Sequence, residues 1–390
     1  MQMNTLREEI AELLPEMIGV RHHIHQHPEL AYEEHATSDL VAQRLADWGY
    51  EVHRGLGGTG VVGRLRQGSG GKSIGLRADM DALPITEATG LPYASQHHGK
   101  MHACGHDGHT ATLLAAARHL AQTRRFNGTL NLIFQPAEEG GGGALRMVQD
   151  GLFEKFPCDA VFGLHNAPGQ PVGTLAFRSG PTLASADRVV IVLKGRGGHA
   201  AMPHFSADPI VAGSSIVMAL QSIVARNVDP LLSAVVTVGL FQSGTVNNVI
   251  PGTARLELSV RALDREVRKL LRQRIQEVVS SQAASLGVTA EVNYEEGYPV
   301  LVNTQAETDF AARVATELLG PQRVLLDKPP VMGSEDFAFM LEHRPGCYLF
   351  LGNGDGAGSC MVHNPGYDFN DAAMETGAAF WSLLVERYLI

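Results

Sequence analysis

The first part of the chain alternates short, wholly apolar runs with longer stretches in which apolar residues recur every three or four positions. The runs Gly60 to Leu65, Ser73 to Ala78, Leu130 to Phe134 and Ala160 to Leu164 predict strands, the second following a Gly-Ser-Gly-Gly turn and the third following Asn127-Gly128. The periodic stretches predict helices: an N-terminal one opened by a Thr5/Glu8 capping box, a second from about Glu33 to Trp48, and two more over His109 to Thr123 and Gly143 to Gln149. Strands alternating with helices imply an α/β fold with buried parallel strands.

Near Ser185 the rhythm changes. Val189 to Leu193 predicts a strand, Asp208 to Arg226 a helix, Ala234 to Phe241 and Thr253 to Arg261 two strands, Arg265 to Ala284 a helix and Val288 to Tyr294 a strand. This βαββαβ order is the ferredoxin-like signature, and it reads as an insertion. Glu307 to Leu318 (helix), Cys347 to Leu351 (strand) and Ala372 to Leu389 (helix) then return to the first domain. With 390 residues, too many for one comfortable core, the expected division is 1–184 plus 297–390 for the main domain and 185–296 for the insert.

Composition narrows the class. At 44% hydrophobic and 18% charged the chain is ordinary globular material, and a net charge of -10 argues against a nucleic-acid partner, which needs clustered Lys and Arg. Met1 to Ile10 carry charges where a signal peptide needs an apolar core, and no uninterrupted run approaches the roughly 20 apolar residues of a membrane helix. A cytoplasmic protein without a membrane partner is the expectation. Cys104, Cys158, Cys347 and Cys360 are too few and scattered for a disulfide scaffold.

The candidate chemistry gathers at strand ends. Asp79 and Asp81 follow Ser73 to Ala78, Glu138 and Glu139 follow Leu130 to Phe134, and His165 follows Ala160 to Leu164. In an open α/β sheet the C-terminal ends of the strands face the crevice where ligands bind. Adjacent acids repel and desolvate badly, so Glu138 and Glu139 ask for a cation. If it is a metal, one acid can bind it while the other moves a proton, and spacing alone leaves open which does which.

The segment His97 to His109 adds five histidines and a cysteine before a helix. Cys104 and His106 are the favoured ligands of a borderline metal, because Gly105 lets the backbone bend between them. His109 reads as a packing or supporting residue, and His97, His98 and His102 as exposed loop residues. Cys104 also fits a nucleophile activated at a helix N-terminus, but that leaves the glutamates and His165 without work. Cys158, Cys347 and Cys360 read as buried or incidental thiols. His363, alone a surface histidine, completes a set with Cys104, His106, His165 and a glutamate that suits two divalent metals sharing a bridging group and a water; zinc, manganese, cobalt and nickel are all admissible.

Arg77-Ala78-Asp79-Met80-Asp81-Ala82-Leu83-Pro84, Met101 to His109, Gln135 to Glu139, Gly163-Leu164-His165, Gly198 to His204 and Gly333 to Phe337 together resemble the M20 metallopeptidase family, in its branch of hippurate hydrolases, N-acyl amino acid amidohydrolases and auxin-conjugate hydrolases. The resemblance covers essentially the whole chain. It implies a mixed-sheet catalytic domain with an inserted dimerisation or lid domain, and a homodimer or homotetramer formed through that insert. It implies Cys104, His106, Glu139, His165 and His363 as metal ligands, Glu138 as general base and Asp81 as the aspartate that orients the metal site. Where many members carry His-x-Asp this chain has Asp79-Met80-Asp81, so His106 stands in for the missing histidine ligand. His199 and Asn248 correspond to insert residues that act at the active site; His199 would polarise the scissile carbonyl, and Arg261 would pair with a substrate carboxylate. An alternative for Arg261 is a strand-edge arginine in water.

The implied reaction is hydrolysis of an N-acyl amino acid, with hippurate as the leading substrate. N-acetyl amino acids, N-acetyl-diaminopimelate and carboxypeptidase substrates are the alternatives. A Cys104-nucleophile hydrolase and a non-catalytic metal-dependent binding protein are the readings from other classes.

Overall fold

A computed structural model describes residues 3–354 and 360–390, so Met1, Gln2 and 355–359, all assigned above to the main domain, lie outside the described residues. The chain divides into two compact units, residues 1–180, 302–329 and 336–390 in the first and 181–301 with 330–335 in the second. The short segment 330–335 thus groups with the insert, a detour that the expected boundaries did not contain.

The first unit is built on an eight-stranded sheet in the order Glu51–Leu56, Gly60–Gln67, Gly128–Gln135, Ser73–Asp79, Ala160–Pro168, Gly346–Gly354, Leu175–Ala176 and Val324–Leu325. The four strands from Gly128–Gln135 to Gly346–Gly354 run parallel. Their residues are almost wholly buried, because both faces of a parallel sheet are covered by helices. Helices Met3–Gln26, His106–Thr123 and Ala373–Tyr388 pack on one another and bury Trp381 and Phe380.

The sheet is mixed, as the family resemblance implied: Glu51–Leu56 and Gly60–Gln67 form an antiparallel hairpin that joins Gly128–Gln135 antiparallel. Other expectations change. Glu51–Leu56 is an edge strand with mostly solvated side chains, so it leaves no apolar run to detect. The first helix already includes Thr5, so the Thr5/Glu8 pair lies inside it and does not cap it. The third helix begins at His106, three residues earlier than the apolar periodicity indicated, and a short helix, Phe337–His343, was not anticipated.

The second unit runs strand Ser185–Lys194, helix Pro209–Asn227, strands Ala234–Ser243 and Thr253–Ala262, helix Arg265–Ser285 and strand Thr289–Tyr298. Its four strands form an antiparallel sheet in the order second, third, first, fourth. Asp264 caps its helix by accepting N–H groups of Glu266 and Val267. That helix buries Val267, Leu271, Ile275, Val279 and Ala283, a one-face stripe at helical spacing. The other helix, Pro209–Asn227, is by length and composition apolar enough to cross a membrane, although polar residues interrupt its apolar run. Its Ala212, Ile216, Leu220 and Ile223 pack into the core of this unit.

Candidate metal centre

In the first unit, the C-terminal ends of the parallel strands carry the site. Asp79 is the last residue of its strand, Glu138 and Glu139 lie in the turn after Gln135, and His165 lies within Ala160–Pro168, not beyond it as expected. Gly105 precedes helix His106–Thr123 with φ +90°, a left-handed conformation that glycine adopts without strain. A Cβ there would stand 2.5 Å from Asn166 Oδ1 and 2.7 Å from the Tyr367 hydroxyl, so the Cys104-Gly105-His106 bend is pressed against those side chains.

Ligand-type atoms converge in overlapping groups: Cys104 with His106 and His165, Cys104 with Glu139 and His363, and His106 with Glu138 and Glu139, each group spanning at most 4.8 Å. Cys104 Sγ is 3.3 Å from His165 Nε2, and His363 Nε2 is 3.1 Å from Glu139 Oε1. The residues fit a metal on their own chemistry. His106 turns Nδ1 toward Asp81 Oδ1 at 3.2 Å, while its buried Nε2 has no hydrogen-bond partner among the described residues. His165 is fixed in the same way, with Nδ1 2.7 Å from the Asn166 carbonyl and Nε2 facing Cys104. Burial, with the His109 ring alongside, holds His165 down to about 3, in the neutral form a ligand requires.

Burial and the carboxylates of Glu139 and Glu138 push the Cys104 thiol well up. A free nucleophile needs the opposite shift, whereas a bound cation would favour the thiolate, so the environment speaks for coordination.

Asp81 and Asp79 are differently employed. Asp81 meets His106 with one oxygen and accepts the Glu139 N–H at 2.9 Å with the other. Asp79 lies 2.6 Å from His109 Nδ1 and accepts from Arg77 at 2.7 Å, but stands 3.7 Å from His106 Nε2, beyond hydrogen-bond reach. Burial opposes ionisation of Asp79, yet Arg77, His106 and His109 outweigh it and hold the carboxyl well below the usual range. Arg77, wholly buried, also donates to Gln135 at 2.8 Å and Asp336 at 3.1 Å. These supports were missed, although an arginine inside an apolar strand is itself a signal that buried acids await it.

His97 and His98 are exposed as expected, but His102 is not: it is 1% exposed, its ring 6.3 Å from that of His25 on the first helix. Burial holds it down to about 4, so it packs as a neutral ring. Cys158 and Cys347 are buried and Cys360 partly so, all three free thiols.

His199, Asn248 and Arg261 belong to the second unit. His199 is exposed on the two-residue strand Gly198–His199 paired with Val249–Ile250, and its Nδ1 accepts the Ala201 N–H at 3.0 Å, leaving Nε2 to carry the proton of the neutral ring. Asn248 is exposed, and its carbonyl accepts from Ala200. Arg261 is not a strand-edge residue: its strand is paired on both sides, and its half-buried side chain donates to Ser334 Oγ at 3.1 Å.

The chain is 47% identical over 381 residues to the hippurate hydrolase of Campylobacter jejuni subsp. jejuni serotype O:2, covering 98% of each chain. It is 41% identical to the N-acetyl-L-cysteine deacetylase of Bacillus subtilis, over 99% of this chain and 92% of that one. A Bacillus subtilis dinuclear metal-binding peptidase from the M20 family superposes with a TM-score of 0.85 at 33% identity, covering 97% of this chain and 99% of that one. Residues 75–387 match the peptidase family M20/M25/M40, and the chain belongs to that family.

Proposed function

We propose that this protein is a metal-dependent amidohydrolase that cleaves N-acyl amino acids, hippurate foremost, into the carboxylic acid and the amino acid. The observation that carries this is the cluster of Cys104, His106, Glu139, His165 and His363 with a further, buried acid, Glu138, beside it. Identity of 47% to a hippurate hydrolase supports the substrate. The similarity to an N-acetyl-L-cysteine deacetylase favours N-acetyl amino acids as the second reading.

Cys104, His106, Glu139, His165 and His363 would hold two divalent ions of zinc, manganese, cobalt or nickel. Such ions supply Lewis-acid polarisation and a more acidic water. Glu138 then takes the proton of the attacking water on its carboxylate and returns it to the departing amine nitrogen. Asp81 holds the His106 ring and the Glu139 backbone in register. His199, whose Nε2 bears the proton, would donate to the carbonyl oxygen as charge develops there, with Asn248 beside it and Arg261 on the substrate carboxylate. A homodimer or homotetramer through the second unit is supported by apolar side chains that unit leaves in water, Met218 at 73% and Leu231 at 91% exposed. A cytoplasmic location completes the reading.

The test is a panel of N-benzoyl, N-acetyl and indole-acetyl amino acids, assayed with metal-stripped protein reloaded with each ion in turn. Hydrolysis of N-benzoylglycine above the others is expected, and Glu138→Gln should keep its metal while losing turnover. No hydrolysis across the panel would favour a binding protein.

A further inference from the structure

Besides the proposed ligand His363 itself, at φ +64°, two non-glycine residues near the centre have left-handed backbone, Tyr32 at φ +65° and Ala137 at φ +53°. Such residues are uncommon, and they persist where the surroundings hold them. One buried side chain links both. Glu34, on the connection between the first two helices, accepts the Tyr32 N–H at 3.1 Å and the Ala137 N–H at 2.8 Å on Oε1, and the Thr59 hydroxyl at 2.5 Å on Oε2. Tyr32 in turn donates its hydroxyl to the Gly141 carbonyl at 2.7 Å, and the Ala137 carbonyl accepts the Gly143 N–H. Both ends of the glutamate-bearing turn are therefore fastened to the residue 32–34 segment.

The consequence bears on Glu138 and Glu139. In an extended chain adjacent side chains point to opposite faces. Here both carboxylates lie within 4.8 Å of a His106 ring nitrogen, which requires the chain to leave its extended path after Gln135. Ala137 is where it does so.

We propose that Glu34 is a positioning residue: by holding the Ala137 N–H it fixes the left-handed backbone that brings both Glu138 and Glu139 to the metal centre. This rests on the roles proposed for those two residues. The mechanism depends on reach, not charge. In Glu34→Gln the amide oxygen can still accept the two N–H groups, while its NH2 faces the Thr59 hydroxyl, which can rotate to accept. Glu34→Asp keeps the charge but is one methylene short of Ala137.

The experiment measures zinc and manganese affinity by chelator competition, kcat, KM and Tm for the full chain. Glu34→Gln should stay within about three-fold of the parent, and Glu34→Asp should bind metal about ten-fold more weakly with a parallel fall in kcat. Adding Ala137→Gly to Glu34→Asp should recover part of both, because glycine takes positive φ freely. Unchanged metal affinity in Glu34→Asp, an equal loss in Glu34→Gln, or no recovery by Ala137→Gly overturns the proposal. Glu138→Gln, run alongside, separates the two ideas: if it stays active, the assignment of Glu138 fails independently of Glu34.

Discussion

Asp81 and His106 form the hinge of the centre: one carboxylate oxygen lies 3.2 Å from the ring Nδ1, while the other receives the Glu139 N–H. A carboxylate can accept from both sides at once, and an amide cannot do so without turning its NH2 toward a donor. Asp81→Asn should therefore weaken metal binding by about ten- to a hundred-fold. Equilibrium dialysis against buffered zinc measures this, and an unchanged affinity would remove Asp81 from the role.

Cys104→Ser separates coordination from nucleophilic attack. Serine is a poor ligand for a soft site, so the variant should lose metal and, with it, turnover; chelation of the parent chain should have the same effect, reversed by adding ions back. If turnover vanished while metal content stayed full, the thiol would be acting as a nucleophile.

Gly105→Ala tests the bend. The new methyl group would stand 2.5 Å from Asn166 Oδ1 on a residue with φ +90°, a backbone that costs a non-glycine residue about 1–2 kcal/mol before any clash. A lower Tm accompanied by weaker metal binding is expected, because Asn166 also holds His165 through its carbonyl. A fall in Tm with metal affinity intact would mean that the bend serves packing alone.

Glu386, on the last helix, is buried, and its Oε1 has no hydrogen-bond partner among the described residues. Burial pushes its carboxyl up to about 7, helped by Glu9 and opposed by Arg125 and Arg387. The folded value lies above the ordinary 4.5, so the associated stability is fully present below about pH 4.5 and is lost as pH rises toward 7. Glu386→Gln removes that loss. Its Tm should exceed the parent's by a few degrees at pH 8 and match it near pH 4 in differential scanning calorimetry; a pH-independent difference would contradict the assignment.

Much of this could be read from sequence where burial leaves a local trace. Leu130 to Phe134 announces a strand because both of its faces are covered, and Cys104-Gly105-His106 announces a bend because glycine separates two ligand types. Glu51–Leu56 does not, since an edge strand in water carries no apolar run. His102 misled because a loop histidine looks the same in sequence whether or not a helix covers it. Glu34 was invisible for a stronger reason: its bond to Ala137 spans 103 residues, and no spacing rule operates over that distance. The division of labour between Glu138 and Glu139 likewise came from family resemblance, because either carboxylate could bind or carry a proton.

The family match begins at residue 75, and every proposed metal ligand lies beyond it. A fragment cut at that point would keep all five ligands and look complete on paper. It would lack Glu34 and Tyr32, which fasten the glutamate turn, and Arg21, whose buried guanidinium holds Asp107 next to His106. It would also lose the hairpin that covers one edge of the central strands. Anyone transplanting this centre into another scaffold would have to carry the first 74 residues with it, as a splint and not as a leader.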